Sequence, residues 1–392
     1  MVLVPATAVP YILAMVRRGP VFLFLVWLAA CAGKAPPIPP PAPPAEPAET
    51  ELTLFLIGDG GKPRPGGDPV LVALKAQIAS VSGRAITVFL GDNVYDFGLP
   101  PEGAADRKEM ERRLRDQMEA AMGSKRAVFV PGNHDWNRGR EGGWEAIRRE
   151  EEFIREHGDG GRIVLSPEGG CPGPRMLELG IELTLIAIDT HWWLHEREKP
   201  GPETCEPGTE EAVAQKLRES LSSKKGRHVV VVAHHPLLSS GSHGGYFNWQ
   251  DHLFPLTRAW KGLWLPLPGI GSLYPLARAL GATSQDLSGD ENRRMRGALE
   301  EAFRGHPPLV FAAGHEHTLE VLRGDAAPNL LVSGTGYYGH TSPTKWRPET
   351  RYQKAASGFM RLDFLRSGEV RLGVLLVDGT GKVKEPFAIE LR

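Results

Sequence analysis

The chain has 392 residues, of which 41% are hydrophobic and 24% are charged, and its formal net charge is −1. This composition is typical of a globular protein, and it excludes a largely disordered chain and a chain that lies in a membrane throughout. Basic residues are interspersed with acidic ones, as in the range 107–119, so no nucleic-acid-binding surface is evident in the sequence.

The N-terminal part of the chain has the pattern of an export signal. Arg17 and Arg18 precede an apolar run from Val21 to Ala30, which is shorter than the roughly 20 residues that a membrane-spanning helix needs. The run ends in Leu-Ala-Ala-Cys at Cys31 and resembles a bacterial lipobox. We therefore expect residues 1–31 to be a lipoprotein signal peptide and lipid on Cys31 to anchor the exported chain to the bacterial cell envelope. The alternative is a plain signal peptide with an incidental cysteine.

A proline-rich segment follows, and we assign residues 32–50 to a linker. Proline at this density favours an extended polyproline II spacer, which would hold a folded domain away from a membrane.

The two other cysteines, Cys171 and Cys205, form no CxxC pair, so a thiolate zinc site is excluded. An exported location permits a disulfide between them, and the alternative is two free thiols.

From residue 51 onward, short apolar runs alternate with polar stretches of helical length. The predicted strands are 52–58, 85–91, 126–132, 183–189, 228–234, 308–314 and 329–334, and the predicted helices are about 68–81, 104–122, 143–157, 208–223 and 290–304. This alternation predicts an α/β fold with helices outside the sheets. The range 355–392 has the pattern of antiparallel strands that close a single domain over 51–392.

Potential metal ligands follow five of the predicted strands. The segments are Gly58-Asp59-Gly60-Gly61, Gly91-Asp92-Asn93-Val94-Tyr95, Gly132-Asn133-His134-Asp135, His234-His235-Pro236 and Gly314-His315-Glu316-His317. Ligand sites in α/β sheets lie at the carboxyl ends of strands. Oxygen and imidazole ligands in this mixture suit iron, manganese or zinc rather than calcium. A Gly-Asp segment alone would be read as a turn, and Gly-His-Glu-His alone could be a surface loop. Five segments in this order, each at a strand end, predict a metal centre.

The order of these segments resembles the calcineurin-like metallophosphoesterase superfamily over about residues 52–365. The resemblance implies a four-layer α/β/β/α sandwich with mixed sheets and a centre of two metal ions. The sequence departs from the family pattern at Gly61, where an Asp-x-His motif would place histidine. Tyr95 stands three residues after Asp92, and this pair of changes is similar to the purple acid phosphatase branch, in which a tyrosinate holds ferric iron. The alternative for Tyr95 is a buried aromatic side chain without a metal.

The resemblance also implies how the ligands divide between the two ions. Fe(III) would take Asp59, Asp92, Tyr95 and His317. Fe(II), Zn or Mn would take Asp92 as a shared ligand together with Asn133, His234 and His315. The family motif His-x-Pro selects His234 rather than His235. A shared carboxylate can hold two ions about 3.5–4 Å apart.

The same resemblance implies hydrolysis of phosphate monoesters by metal-bound hydroxide. The leaving group needs a proton, which a histidine can donate. His134 and His243 are the candidates for this role, and Asp135 is expected to orient His134 from outside the ligand set. The substrate would be a phosphorylated small molecule or another phosphoester.

The range of about 246–290 is an insert that the resemblance does not explain. It is rich in Trp, Leu and Pro. It could form a lid over the metal centre, a surface resting on the membrane, or a small core of its own. A phosphodiesterase or nucleotide hydrolase on the same core, and a non-catalytic surface-binding lipoprotein, therefore remain alternatives to a phosphomonoesterase.

Overall fold

The computed structural model describes residues 42–44, 49–180, 183–223, 228–258, 260 and 262–391. The predicted signal peptide, Cys31 and most of the predicted linker lie outside these residues. Within the described ranges, we find no helix with the length and apolar character required to cross a bilayer.

The described residues form fourteen strands and eight α-helices. The strands are β1 (Thr50–Ile57), β2 (Ala85–Phe89), β3 (Arg126–Phe129), β4 (Ile163–Leu165), β5 (Arg175–Leu179), β6 (Leu183–Ala187), β7 (His228–Val232), β8 (Val310–Ala313), β9 (Leu319–Leu322), β10 (Leu330–Ser333), β11 (Thr350–Lys354), β12 (Gly358–Leu365), β13 (Val370–Val377) and β14 (Val383–Leu391). The helices are α1 (Pro69–Ser80), α2 (Arg107–Ala121), α3 (Gly143–His157), α4 (Thr190–Leu194), α5 (Glu210–Ser222), α6 (Trp249–Leu253), α7 (Leu273–Ala279) and α8 (Asp290–Phe303).

The strands form two mixed seven-stranded sheets. Their orders are β14-β13-β12-β1-β2-β3-β4 and β11-β9-β10-β8-β7-β6-β5. In the first sheet β1 to β4 are parallel, and β12 to β14 extend it with antiparallel pairs, as the sequence pattern predicts. In the second sheet β6, β7, β8 and β10 are parallel.

Both faces of the central strands are buried, which explains their continuous apolar runs. In β1, Leu54 and Leu56 belong to a core that the two sheets share, whereas Phe55 and Ile57 belong to a core that includes the helices. In β7, Val230 likewise belongs to the core between the sheets and Val229 to the core that includes the helices. The expected α/β/β/α sandwich with mixed sheets is therefore confirmed.

All seven predicted strands and all five predicted helices are present, but the strands end earlier than predicted. β1 ends at Ile57 and β2 at Phe89, before the segments that carry Asp59 and Asp92. The backbone leaves the sheet there because Asp59 and Asp92 adopt left-handed conformations, with φ of 58° and 55°. The short strands β4, β5, β9 and β11 and the short helix α4 carry weaker patterns and were not predicted.

The structure also bears on the predicted disulfide and on the predicted linker. Cys171 and Cys205 form a disulfide, so the prediction of a bridge is confirmed. The predicted linker is not a free spacer over its whole length, because residues 42 and 43 are hydrogen-bonded to the folded domain. The amide of Ala42 donates to the carbonyl of Ala388 in β14 at 2.9 Å, and Arg371 in β13 donates to the carbonyl of Pro43 at 2.7 Å.

Candidate metal centre

The predicted ligands converge where β1, β2, β3, β7 and β8 end. The turns after these strands place the side chains, and three of them are strained. Asp59, Asp92 and His315 all have positive φ, which few residues other than glycine adopt. Backbone strain of this kind is concentrated at functional sites, where the surrounding structure holds it in place.

The first cluster, which we call the tyrosine site, consists of Asp59, Tyr95 and His317, with Asp92 adjoining it. The Tyr95 hydroxyl lies 3.0 Å from the Asp59 carboxylate and 3.4 Å from Nε2 of His317. Nε2 of His317 is 3.5 Å from the same Asp59 oxygen. Tyr95 is buried, so its hydroxyl points into the centre rather than to solvent.

The second cluster, which we call the histidine site, consists of Asn133, His234 and His315, again with Asp92 adjoining. The side-chain oxygen of Asn133 lies 3.0 Å from Nε2 of His234 and 3.0 Å from Nδ1 of His315. These two nitrogens are 3.2 Å apart, and Asp92 is 3.3 Å from Nε2 of His234. Ligand atoms of Asp59, Asp92 and His234 all lie within 4.8 Å of one another, so the two clusters are contiguous.

The electrostatics of the centre suit bound cations. Asp59 and Asp92 are buried, and their ion pairs among the described residues involve only histidines. Burial and the Asp92 carboxylate raise the pKa of Asp59 well above its usual value. Burial, Asp59 and Asp92 likewise raise the pKa of Tyr95. Burial would also raise the pKa of Asp92, but His234 and His134 outweigh it and lower that pKa. The pKa values of Asp59 and Tyr95 stay raised, and metal ions would supply the positive charge that favours their ionised forms.

The backbone packing around position 61 explains why this chain has glycine where the family motif has histidine. A Cβ atom on Gly61 would lie 2.6 Å from backbone atoms of Asp92, Asn93 and Val94. The Gly61 amide donates to the Asp92 carbonyl at 2.9 Å, and the Tyr95 amide donates to the Gly61 carbonyl at 3.1 Å. The loop that carries Tyr95 therefore occupies the space that a side chain at position 61 would need.

Hydrogen bonds outside the ligand set fix the imidazole orientations. Nδ1 of His234 lies 2.8 Å from the Leu90 carbonyl, which leaves Nε2 to face the centre. Nε2 of His315 lies 2.9 Å from the Gln285 carbonyl, which leaves Nδ1 to face Asn133. His235 is engaged elsewhere, since its nitrogens contact Thr190 and Gln285. His235 still lies close enough to His234 and His315 to form a group of potential ligands with them. His234 is the histidine whose Nε2 faces Asn133 and Asp92.

His134 lies beside the centre, but Asp135 does not orient it. Nδ1 of His134 is 2.7 Å from the Asp96 carbonyl, and its Nε2 is 3.8 Å from Asp92. The Asp135 carboxylate instead accepts backbone N–H groups of Gly132, Asn93 and Val94 at 2.8–2.9 Å. The expected contact between Asp135 and His134 is therefore wrong. Asp135 is fully buried and ties together the two loops that carry Asp92 and Asn133.

His243 lies next to the histidine site and is held by the end of the insert. Its ring centroid is 4.0 Å from that of His315. Its Nδ1 lies 3.0 Å from the Asp286 carboxylate and 3.2 Å from the Gln285 carbonyl. The Arg278 guanidinium also lies 3.3 Å from Nδ1, so a donor and two acceptors surround this nitrogen. Because Nδ1 is engaged in this way, Nε2 is the nitrogen that can serve a substrate. Sequence reasoning missed Gln285 and Asp286, because nothing in their local pattern links them to residues some 40 positions earlier.

Glu316, between the two histidines of Gly-His-x-His, was also missed. Its carboxylate accepts the His243 amide at 2.8 Å and the hydroxyls of Ser239 and Ser242 at 3.1 and 3.3 Å. It therefore shapes the loop that presents His243. Its position between two predicted ligands was the only available signal in the sequence.

Aromatic side chains from the loop after β10 line the tyrosine site. The ring centroid of His340 lies 3.7 Å from that of His317 and 5.4 Å from that of Tyr95. Tyr337 stacks on His340, with 4.5 Å between ring centroids. These rings therefore pack against the tyrosine site from the loop after β10.

Comparison with known proteins identifies the family. A family model described as calcineurin-like phosphoesterase matches residues 52–319. No curated protein sequence matches the chain.

Solved structures share the fold at low sequence identity. GAP50, described as the anchor in the inner membrane complex of Plasmodium, has a TM-score of 0.53 at 17% identity, covering 88% of this chain and 89% of that one. The purple acid phosphatase PPD1 of yellow lupin (Lupinus luteus) has a TM-score of 0.54 at 15% identity, covering 88% of this chain and 55% of that one. PhoD has a TM-score of 0.52 at 11% identity, covering 90% and 71%. This chain thus corresponds to only about half of the lupin enzyme.

The match to the family model extends over most of the folded residues and includes every predicted ligand. The fold places those ligands together at the strand ends, as a phosphoesterase core requires. The chain therefore belongs to the calcineurin-like phosphoesterase family.

Proposed function

We propose that the chain hydrolyses phosphate monoesters at a dinuclear metal centre of the purple acid phosphatase type. Fe(III) is assigned to the tyrosine site and Fe(II), Zn or Mn to the histidine site, with Asp92 shared. The observation that carries the proposal is the position of the Tyr95 hydroxyl, 3.0 Å from Asp59 and 3.4 Å from His317. Phenolate is a hard anionic donor, and a trivalent cation favours its ionisation despite a free pKa of about 10.

The bound ions would acidify a water molecule for attack and take up the charge that develops on the phosphoryl oxygens. The protein supplies the geometry and the protons. Leu90 and Gln285 hold His234 and His315 in the ligating tautomers. His134, beside Asp92, and His243, beside His315, are the candidate donors for the leaving alkoxide.

We further propose that the chain is exported and anchored to the cell envelope through lipid on Cys31. The lipobox pattern at residues 28–31 and the proline-rich segment behind it support this location.

The proposal is tested with the iron-loaded full chain, a chromogenic phosphomonoester and the matching diester. We expect faster hydrolysis of the monoester. Because loss of residues outside the ligand set typically costs 10–100-fold, Asp92→Asn should lower the rate by more than about 100-fold. Asp290→Asn, at an exposed carboxylate on α8, should leave the rate unchanged. A preference for the diester would replace the proposal with a phosphodiesterase, and a metal-loaded but inactive chain would favour the surface-binding alternative.

A further inference from the structure

The insert exposes an unusual amount of apolar surface. Ten of the fourteen large apolar side chains that are exposed among the described residues lie between Trp249 and Leu280. The most exposed are Leu280 at 75%, Trp260 at 74%, Trp249 and Ile270 at 67%, Leu273 at 62% and Trp264 at 58%. We call this surface the apolar face. A small core of its own, one of the expectations for the insert, would have buried these side chains.

Exposed apolar side chains concentrated in one segment of the chain are typical of surfaces that contact another molecule. Tryptophan and tyrosine beside leucine and isoleucine are typical of surfaces that rest at the water–lipid boundary. The range 249–280 contains three basic residues and one acidic residue. Arg278 is paired with Asp286, so the basic character of the range comes from Arg258 and Lys261. The acidic residue, Asp251, is buried and takes part in the capping box of α6, so it does not oppose an anionic surface.

The N-terminal chain indicates where the domain resides. Ala42 and Pro43 are fixed to β14 and β13, so only residues 32–41 separate Cys31 from the folded domain. Ten residues span at most about 36 Å. If Cys31 is anchored as proposed, the domain cannot move far from the bilayer, and a surface that binds lipid would be in reach of it.

We propose that the apolar face docks onto an anionic bilayer surface, with its tryptophans at the level of the lipid headgroups. The proposal rests on the proposed envelope location and is independent of phosphoester hydrolysis. Docking would hold the metal centre close to the bilayer. Arg278 on α7 binds the Asp286 carboxylate, and Asp286 contacts His243. The substrates favoured by this placement are phosphoesters at the membrane surface.

The test places an environment-sensitive dye on the face. The full chain carrying Cys31→Ser and Leu280→Cys has one free thiol for labelling, because Cys171 and Cys205 are bridged. The matched control carries Cys31→Ser and Val72→Cys, since Val72 on α1 is an exposed apolar residue (54%) outside the insert. Both proteins are mixed with phosphatidylcholine–phosphatidylglycerol vesicles that contain acyl-brominated lipid.

We expect the dye at position 280 to shift to the blue and lose most of its emission to the brominated lipid, whereas the dye at position 72 keeps its emission. Adding Trp260→Ser and Trp264→Ser to the Leu280→Cys chain should remove most of this quenching while the far-ultraviolet circular dichroism stays the same. Equal quenching at positions 280 and 72, or none at either, would overturn the proposal. A shift at position 280 that depends on protein concentration before vesicles are added would assign the face to a second copy of the chain and also overturn it.

Discussion

Nδ1 of His243 lies 3.0 Å from the carboxylate of Asp286, although 43 positions separate the two residues in the chain. Arg278 binds both oxygens of that carboxylate. Burial would raise the pKa of Asp286, but hydrogen bonds from Arg278 and His243 outweigh it and lower the pKa. The insert therefore supplies an ionised acceptor that fixes the orientation of a candidate proton donor.

Asp286→Ala should lower kcat for the phosphomonoester while KM changes little, because the Nδ1 partner of His243 is lost and binding through the metals is kept. General acid catalysis contributes typically 10²–10⁴-fold, so we expect a loss of about tenfold or more from misorientation alone. Asp286→Asn keeps an acceptor oxygen and should recover part of the rate. Steady-state kinetics of both variants measure the effect. Asp290→Asn, at an exposed carboxylate nearby, is the control, and an unchanged kcat in Asp286→Ala would show that the contact has no catalytic consequence.

Gly61→His introduces the Asp-x-His motif that is common in the family. We expect it to damage the metal centre rather than improve it. The new Cβ would meet the backbone of Asp92 to Val94 at 2.6 Å and displace the loop that carries Tyr95. We expect loss of bound iron and a lower midpoint of thermal unfolding.

Gly297→Ala is the matched control for Gly61→His. Position 297 lies in α8, and a Cβ there meets no atom within 4 Å. Replacing a glycine inside a helix should stabilise the chain by roughly 0.5–1 kcal/mol. If Gly61→His instead bound iron fully and kept its stability, the account of the loop would be wrong.

The Cys171–Cys205 disulfide should contribute substantially to stability. It closes a loop between residues 34 positions apart, for which the loss of unfolded-chain entropy corresponds to about 3–4 kcal/mol. Cys171→Ser with Cys205→Ser should lower the free energy of urea unfolding by that order, and a reductant should have no further effect on the double variant. A double variant as stable as the oxidised wild type would refute this contribution.

Glu320 should make stability depend on pH. Burial, with a smaller effect from Glu316, raises the pKa of Glu320 from about 4.5 to about 7. Because the folded-state pKa is raised, Glu320 stays protonated below pH 4.5 and does not lower the free energy of unfolding there. Above about pH 7 the carboxylate is ionised in the folded protein, and the free energy of unfolding is lowered by the full amount. The free energy of unfolding of the wild type, relative to Glu320→Gln, should therefore fall by up to about 3 kcal/mol between pH 4.5 and 8. Urea unfolding at both pH values measures the difference, and a constant difference would contradict the buried carboxylate.

Local patterns in the sequence predicted an α/β fold and the converging candidate ligands, and the family resemblance implied the sandwich. Apolar runs such as those of β1 and β7 are long enough to be recognised, and each predicted ligand lies within six residues after a strand. The contacts of Asp135 and Asp286 could not be predicted in this way. Asp135 is drawn to backbone amides of a loop some 40 residues earlier, and Asp286 reaches His243 only because the insert folds back. Side-chain partners that depend on the packing of distant loops leave no periodic signal.

The central claim is that Tyr95 binds ferric iron, and visible absorption measures it most directly. A tyrosinate–Fe(III) bond absorbs visible light, so the iron-loaded full chain should be coloured. Tyr95→Phe should be bleached while it still binds iron through Asp59, Asp92 and His317. Metal analysis of the same samples separates loss of the chromophore from loss of the metal. A colourless wild-type chain with full iron occupancy, or a Tyr95→Phe chain that keeps the colour, would contradict the assignment.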